Sequence, residues 1–569
     1  MVRRIFGFLT QEIRGLHEAA YLLALLAFLS QLLALVRDRL LAASFGAGHT
    51  LDVYYAAFRI PDFLFVTIAS LLSLYALMPV LSRLETESSE KMMAFLRQSL
   101  LGFFVVMAAI AAVAAIFAPF IMRLVAPGFA PGTPEAGQLI LLTRIILLQP
   151  MFLGASNIIS NLTQMRDRFL LYAVSPLLYN LGIIAGIVFF YPIFGIAGLA
   201  WGVVLGAVMH FLIQVPFFIA QPAGVFLPKQ EALAHLKEVL VLSVPRTLAL
   251  ASTQLSLLIL VALASFFAAG SISVFMFAYN LQAVPVAIIG ISYSVAAFPT
   301  LAKLFADGAL EKLAAHAENA LRHLLFWSIP VIVLTIVLRA QLVRVILGAG
   351  AFDWDATRLT AAALALFVLS LAAQNVTLLI SRTYYAAGKS KLPFYWGLID
   401  VGVSVVSAVM LVALFHASAS WRGLIEGLLR VQGLAGTSVL MLALGLALGS
   451  IAEAIAGYRA FVRDFPVSTA SLYRIMWQST LASLVGGVIA YATLGAIGAL
   501  VPLSTTLALI LQGAVGGGAG LLAIALVLFL LGNAELKEIF CALRRRLVPA
   551  AVTAPVSGPL TLEVTDIES

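Results

Sequence analysis

The sequence predicts an all-α polytopic membrane protein with about fourteen transmembrane helices. Of its 569 residues, 62% are hydrophobic and only 11% are charged, and the mean hydropathy is +1.07. Soluble globular proteins carry about 25% charged residues, so this composition excludes a soluble globular fold. Because one helix needs about 20 residues to cross a bilayer, the apolar segments suffice for fourteen crossings.

The predicted spans follow one another with short polar breaks. They lie near 19–44, 53–82, 97–124, 136–163, 170–191, 194–220, 238–268, 273–304, 319–347, 357–386, 394–416, 435–460, 474–500 and 504–532. The longest break, 221–237, is only loop-sized, so we expect no separate soluble domain.

A weak internal repeat divides these spans into two lobes. The tripeptide Ala43-Ser44-Phe45 recurs as Ala264-Ser265-Phe266, an offset of 221 residues, and Arg59 matches Asn280 at the same offset. Each repeat holds six spans, so both lobes have one orientation, an arrangement typical of transporters. The predicted divisions are an amphipathic N-terminal segment (1–18), a first lobe (19–220), a linker (221–237), a second lobe (238–464), two further helices (465–533) and a largely disordered tail (534–569).

The basic residues predict the orientation of the chain. Most of the 34 Lys and Arg residues fall on one side if the N-terminus is cytoplasmic, as expected from the excess of positive charge in cytoplasmic loops. Both termini are then inside, because the number of spans is even. The net charge of +8 thus indicates topology, and we expect no nucleic-acid partner.

No sequence motif for catalysis or metal binding is present. The single cysteine, Cys541, excludes an intrachain disulfide. There is no CxxC, HExxH or Walker loop. The sequence therefore predicts a transporter and not an enzyme, without a metal site or a cofactor except a possible coupling cation.

Charged residues inside the first two spans are the main candidates for substrate binding. A charge at the centre of a span costs about 2.5–3.5 kcal/mol on insertion scales, so Arg37 and Asp38 in span 1 indicate a cavity for an anionic ligand or a local ion pair. Asp52 either contributes to this site or caps span 2, since Asp is a good helix N-cap. Arg59 either lines the cavity or forms a structural pair with Asp62.

Two places in the second half hold further candidate residues. Arg246, near the start of span 7, either lines the cavity or anchors the helix at the membrane interface. In span 11, Asp400 is followed by Ser404 and Ser407 on one helix face. Hard oxygen ligands suit a small cation such as sodium, or a proton relay. The alternative is a hydrogen bond between helices.

Several segments resemble a known family of membrane transporters. They are Ser30-Gln31-Leu32-Leu33-Ala34-Leu35-Val36-Arg37-Asp38, Phe45-Gly46-Ala47-Gly48, Asp52, Ala57-Phe58-Arg59-Ile60-Pro61 and Pro245-Arg246-Thr247-Leu248. This pattern is similar to that of the MurJ/MviN family, the lipid II flippases of the MOP exporter superfamily. The resemblance implies two six-helix lobes around a central cavity in the bacterial inner membrane. It also implies alternating access, driven by an ion or voltage gradient, for undecaprenyl-pyrophosphate carrying a disaccharide-pentapeptide.

The sequence departs from the family pattern at some cavity positions. Gln31 and Asn280 stand where the family commonly has arginine, and Phe63–Phe65 stand where it usually has basic residues. We include Gln31 and Asn280 among the predicted substrate-binding residues, with Arg37, Asp38, Asp52, Arg59 and Arg246. The missing cations leave two alternatives: a flippase for another polyprenyl-pyrophosphate glycan or amphiphile, or a non-transporting scaffold for cell-wall synthesis proteins.

Overall fold

A computed structural model describes residues 16–72, 74–222, 226–500 and 505–547. The described residues are mainly helical, with no strand in those ranges. Thirteen helices are long and apolar enough to cross a membrane, and the thirty-residue helix Leu16–Phe45 precedes them. We number them α1 (Leu16–Phe45), α2 (His49–Glu87), α3 (Ser89–Ile116), α4 (Pro134–Met165), α5 (Phe169–Phe194), α6 (Ile196–Ile219), α7 (Lys229–Ala264), α8 (Ser271–Ala306), α9 (Leu310–Leu347), α10 (Trp354–Ala386), α11 (Lys391–Ala417), α12 (Val439–Asp464), α13 (Thr469–Leu500) and α14 (Thr506–Leu530).

These fourteen helices confirm the predicted fold, since each predicted span coincides with one of them. Some boundaries differ, because helices continue past the apolar stretch that hydropathy detects. Helix α7 begins at Lys229, within the predicted linker, and helix Ala534–Leu547 occupies the start of the predicted tail. Residues 1–15 of the predicted N-terminal segment and residues 548–569 of the tail lie outside the described residues.

Breaks in the long helices follow from local sequence. In α2 the helical ladder is interrupted after Ala57, and a 3₁₀ turn covers Ala69–Leu72. In α8 the backbone widens into a π-helix at Val286–Ile291, immediately after Pro285. Proline removes a backbone donor and crowds the preceding turn, so such a local change of winding is expected there.

The buried core is shared by both lobes at one end of the molecule and is divided at the other. One cluster joins residues of α1 and α2, such as Leu41 and Val53, to residues of α7 and α8, such as Val261 and Val274. Beyond it, the first lobe has its own cluster around Leu81, and the second lobe has another. We call the shared end, where α1 and α7 finish, the closed end.

Helix α7 belongs to both lobes in turn. Near its start, Ser243 donates a hydrogen bond to the carbonyl oxygen of Leu71 in α2 at 2.6 Å, and Glu238 forms an ion pair with Arg83. Further along, Ser256 contacts Asp400 in α11. This helix therefore joins the lobes through side-chain contacts as well as through the chain itself.

Helices α13 and α14 pack on the second lobe through α9. Their mutual contact uses glycines, since a Cβ on Gly486 would lie 2.7 Å from the carbonyl oxygen of Gly520. Small residues of this kind let membrane helices approach closely. The pair lies outside the two-lobe repeat, as predicted.

Candidate functional site

A polar cavity of about 250 Å³ lies between the two lobes. From the first lobe, α1, α2 and α5 contribute side chains, and from the second lobe α7 and α8 do so. Its lining comprises Arg37, Leu41, Tyr54, Tyr55, Phe58, Arg59, Asp62, Tyr179, Ile183, Gln254, Leu257, Met276, Tyr279 and Asn280. Arg59 and Asn280, equivalent positions of the repeat, thus face one cavity from opposite lobes.

Arg37 is held by a network that crosses the lobe interface. Its Nε and Nη2 atoms donate to one carboxylate oxygen of Asp38 at 2.9 and 2.7 Å, and Nη1 donates to Asn180 at 3.0 Å. The other oxygen of Asp38 accepts a hydrogen bond from the Asn280 amide of the second lobe at 3.1 Å. The local ion pair is therefore present, and Arg37 still lines the cavity.

Arg59 is the less restrained of the two cavity arginines. Its guanidinium group is 3.5 Å from Asp62 and donates to the carbonyl oxygen of Tyr55 at 3.3 Å. The side chain is only 6% exposed. Arg59 therefore both pairs with Asp62 and lines the cavity, so the two alternatives are compatible.

Asp52 lies at the closed end, where it caps a helix of the opposite lobe. One carboxylate oxygen accepts from the Gly270 amide at 2.6 Å, and the other accepts from the Ser273 amide at 2.7 Å and from the Ser273 hydroxyl. These groups belong to the first turn of α8. Asp52 does not cap its own helix, which begins at His49 after Gly48 without a side-chain cap.

Three other contacts close the same end of the molecule. Arg39 donates to the carbonyl oxygen of Val345 in α9 at 2.6 Å. The Ala351 amide donates to the carbonyl oxygen of Ala43 at 2.8 Å, and the Gly128 amide donates to the Ser265 hydroxyl at 2.9 Å. All three join the first lobe to the second, so the closed end is a polar, backbone-rich seal.

The seal requires glycine where the chains approach most closely. Gly270 has φ +90°, and a Cβ there would lie 2.5 Å from the carbonyl oxygen of Ala47. Gly128 would place a Cβ 1.8 Å from the carbonyl oxygen of Ser265. A side chain at either position would push the lobes apart.

Arg246 and Gln31 are not among the residues that line the cavity. The Arg246 guanidinium group lies over the Tyr385 ring, 5.9 Å from its centroid, within the second lobe. Gln31 is half-buried on α1, two turns before Asp38. The structure therefore brings Arg37, Asp38, Arg59 and Asn280 together and leaves these two apart.

Asp400 is the centre of a separate buried cluster in the second lobe. Its carboxylate accepts hydrogen bonds from Ser256 of α7 at 2.9 Å, and from Ser404 and Ser450 at 3.4 Å each. Ser407, which the helix spacing also placed there, donates instead to the carbonyl oxygen of Val403. Asp400 thus joins α7, α11 and α12.

Sequence reasoning missed several residues of the candidate site. Tyr54, Tyr179 and Tyr279 line the cavity, but tyrosines in spans are too common to stand out. Asn180, the partner of Arg37, could have been found as a buried amide in an otherwise apolar span. Glu453, an acid inside the apolar helix α12, was an equally visible signal.

A polar cavity between two six-helix lobes, sealed at one end, defines a multi-pass membrane transporter. The chain belongs to the lipid II flippase MurJ family, whose model matches residues 41–510. The resemblance noted from the sequence is therefore confirmed, and the protein is a multi-pass protein of the bacterial inner membrane.

Relatives and solved structures agree with this membership. The probable lipid II flippase MurJ of Buchnera aphidicola subsp. Acyrthosiphon pisum is 30% identical over 379 residues, which cover 65% of this chain and 73% of the relative. The lipid II flippase MurJ of Burkholderia cenocepacia is 27% identical over 388 residues, which cover 67% of this chain and 74% of the relative.

The fold is also similar to two kinds of solved structure. A lipid II flippase MurJ in an inward closed conformation matches with a TM-score of 0.68 at 22% identity, covering 90% of this chain and 99% of that one. An inward-facing multidrug resistance MATE family transporter of the MOP superfamily matches with a TM-score of 0.63 at 15% identity. The match covers 76% of this chain and 94% of the transporter.

Proposed function

We propose that this protein is a flippase that moves lipid II, an undecaprenyl-pyrophosphate-linked glycopeptide, from the cytoplasmic to the outer face of the bacterial inner membrane. Family membership and relatives named as lipid II flippases support this cargo. The observation that carries the proposal is the pair of arginines, Arg37 and Arg59, in the cavity between the lobes. Moving a lipid across the bilayer needs no covalent step, so the protein acts as a transporter and not as an enzyme.

The size of the cavity supports alternating access. Pockets for drug-sized ligands measure about 300–1,000 Å³, whereas this cavity measures about 250 Å³. A disaccharide-pentapeptide is larger than such ligands, so the lobes must separate to admit it. Rigid-body movement of lobes about a shared interface is a common way to achieve this.

The two arginines can bind a pyrophosphate one after the other. Guanidinium groups bind phosphate oxygens through a two-pronged fork. Arg59, with its single ion-pair contact at 3.5 Å, can turn toward an incoming phosphate at the lowest cost. Arg37 would follow once its bonds to Asp38 and Asn180 exchange for the ligand.

The orientation follows from the distribution of basic residues. We propose that both termini are cytoplasmic, so that the closed end faces outward. Cargo then enters the cavity from the cytoplasmic side while the contacts of Asp52 keep the outer side sealed. Release requires those contacts to break.

We also propose that the Asp400 cluster holds the coupling cation, sodium or a proton. The Asp400 carboxylate and the hydroxyls of Ser256, Ser404 and Ser450 are hard oxygen donors. They come from three helices, among them α7, which also contacts the first lobe. Binding or release of a cation there would alter how α7 is held and thereby couple the site to lobe movement.

The direct test is complementation. A bacterium depleted of its own lipid II flippase would express this chain, and an impermeant enzyme that cleaves lipid II would report how much reaches the outer face. We expect the wild-type chain to restore outward lipid II, and Arg37→Ala and Arg59→Ala to reduce it at least tenfold at equal membrane abundance. Lipid II that stays inside despite normal abundance of the wild-type chain would contradict the proposal, and full activity of both variants would favour a scaffold role.

A different lipid-linked cargo is favoured by one observation. Each cavity arginine has a carboxylate partner, and Asn280 adds an amide in place of a third cation. Native mass spectrometry of lipids that co-purify with the protein distinguishes the cargoes. Lipid II supports the first proposal, whereas a different polyprenyl-pyrophosphate glycan, or an amphiphile without pyrophosphate, supports the alternative.

A further inference from the structure

A second pocket lies at the closed end of the molecule, away from the central cavity. It is formed by α9, α10, α13 and the short helix Ala419–Leu429, and its volume is about 570 Å³. No residue lines both this pocket and the central cavity. We call it the arginine pocket, because Arg339, Arg358 and Arg430 line it.

The pocket carries more positive than negative charge. Among the described residues, Asp355 is the only carboxylate within ion-pair distance of these arginines, 3.7 Å from Arg358. Arg339 and Arg430 line the same pocket, so two like charges share one space. Arg339 lies inside the membrane-spanning helix α9, where a cation without a counter-charge is costly, and an anion bound beside it would reduce that cost.

Two of the three arginines have donors to spare. Arg358 is largely engaged, since it donates twice to the carbonyl oxygen of Arg430, at 3.1 and 2.7 Å. Arg339 donates once, to the carbonyl oxygen of Ile336 at 2.8 Å, and Arg430 donates once, to the Tyr491 hydroxyl at 2.8 Å. A guanidinium group has five N–H donors, so each can still hold a phosphate oxygen.

The remaining walls of the pocket are mainly apolar. They include Ile336 and Val337 on α9 and Leu494 on α13, both membrane-spanning helices. Trp354 and Tyr491 stand at the rim, 53% and 57% exposed. Aromatic residues of this kind mark the depth of lipid headgroups, so the pocket combines a cationic end with a lipid-facing apolar wall.

We propose that the arginine pocket binds the phosphate-bearing head of a membrane lipid, with Arg339 and Arg430 on the phosphate and the hydrocarbon chain along the apolar wall. The lipid bridges α9 and α13 and holds the α13–α14 pair against the second lobe. Its source is either an anionic phospholipid of the bilayer or a polyprenyl phosphate. The inference does not depend on the cargo proposed above, because the two cavities share no residue.

The test uses the full-length protein in detergent and native mass spectrometry. Three probes with distinct heads are added separately: phosphatidylglycerol, phosphatidylethanolamine with the same acyl chains, and undecaprenyl phosphate. We expect at least tenfold better retention of phosphatidylglycerol or undecaprenyl phosphate than of phosphatidylethanolamine, and the better retained of the two identifies the source. Equal retention of all three probes would overturn the proposal.

Variants locate the binding to this pocket. Arg339→Gln combined with Arg430→Asn removes both free cations, and Asn tolerates the positive φ of 60° at position 430. The matched control, Arg123→Gln with Arg422→Asn, removes two exposed arginines from the same end. We expect the first pair to lose about tenfold in retention of the anionic probe and the control pair to keep it; equal retention by both pairs would refute the assignment.

A milder variant distinguishes weaker lipid binding from misfolding of the protein. Tyr491→Phe removes only the hydroxyl that accepts from Arg430, and the ring remains. We expect weaker retention of the anionic probe than in the wild type while the thermal unfolding temperature measured without added lipid is unchanged. If this variant and the arginine pair both retain the probe as the wild type does, the proposal fails.

Discussion

The carboxylate of Asp52 accepts hydrogen bonds from the amide and the hydroxyl of Ser273, a residue 221 positions further along the chain. This separation equals the offset of the internal repeat, so the two residues occupy equivalent positions in the two lobes. They meet at the first turns of α2 and α8, where the lobes are in closest contact. The seal at the closed end is therefore built at the pseudo-symmetry axis of the molecule.

Replacing Asp52 with Asn is expected to loosen this seal. A charge-assisted hydrogen bond to a buried group contributes about 1.5–3 kcal/mol, so the ratio of open to closed protein should rise by on the order of tenfold or more. The measurement is the rate at which an impermeant thiol reagent, added from the closed end, labels Leu257→Cys in the cavity, in a Cys541→Ser background.

A matched control for Asp52 is available at the same end. Asp353 caps the first turn of its own helix, accepting from the Ala356 amide at 2.7 Å within one lobe. Asp353→Asn should leave the labelling rate unchanged. If both variants accelerate labelling equally, the cap across the lobes is not what keeps this end closed.

Gly270→Ala should prevent full closure. The added methyl group would lie 2.5 Å from the carbonyl oxygen of Ala47, a distance that real contacts do not reach. Gly132→Ala is the control, because Gly132 also has a positive φ, +88°, with nothing within 4 Å of the added Cβ. We expect faster closed-end labelling and at least tenfold less lipid II flipping for Gly270→Ala only, and equal behaviour of the two variants would contradict steric closure.

Arg37→Ala is expected to damage transport more than Arg39→Ala. Arg37 lines the cavity, whereas Arg39 donates to carbonyl oxygens of α9 at the seal. The two losses should also differ in kind: Arg37→Ala should weaken binding of a lipid II analogue, and Arg39→Ala should leave that binding intact while raising closed-end labelling. Equal complementation of a depleted strain by both variants would contradict the placement of Arg37 in the cargo site.

Asp400→Asn should abolish the response of transport to a cation gradient. The amide keeps the shape of the side chain and removes the charge that would hold sodium or a proton. In proteoliposomes, flipping of a lipid II analogue is measured with an imposed sodium or proton gradient. We expect the gradient to accelerate the wild type and Ser407→Ala, whose hydroxyl contacts backbone carbonyl oxygens, but not Asp400→Asn; undiminished stimulation in Asp400→Asn would rule out this site.

Part of the candidate site was visible in the sequence because charges in apolar spans are conspicuous. Arg37 and Arg59 were selected in this way, whereas Asn280 was selected because it stands where the family commonly has arginine. The structure brings all three to one cavity. Arg246 satisfied the same criterion, but it packs on Tyr385 in the second lobe. A span position does not reveal which neighbour a helix face meets, so the criterion could not separate these cases.

The sequence by itself determined the fourteen helices, their division into two lobes and the positions of the buried charges, because hydropathy and helix length are properties of local segments. Only the tertiary structure decided that Asp52 caps the opposite lobe, that Arg39 reaches α9, and that Ser256 joins Asp400 where Ser407 does not. The residues that meet lie far apart in the chain, and Ser407 lies on a neighbouring face of the helix that carries Asp400. Their meeting depends on how whole helices pack, which no single segment specifies.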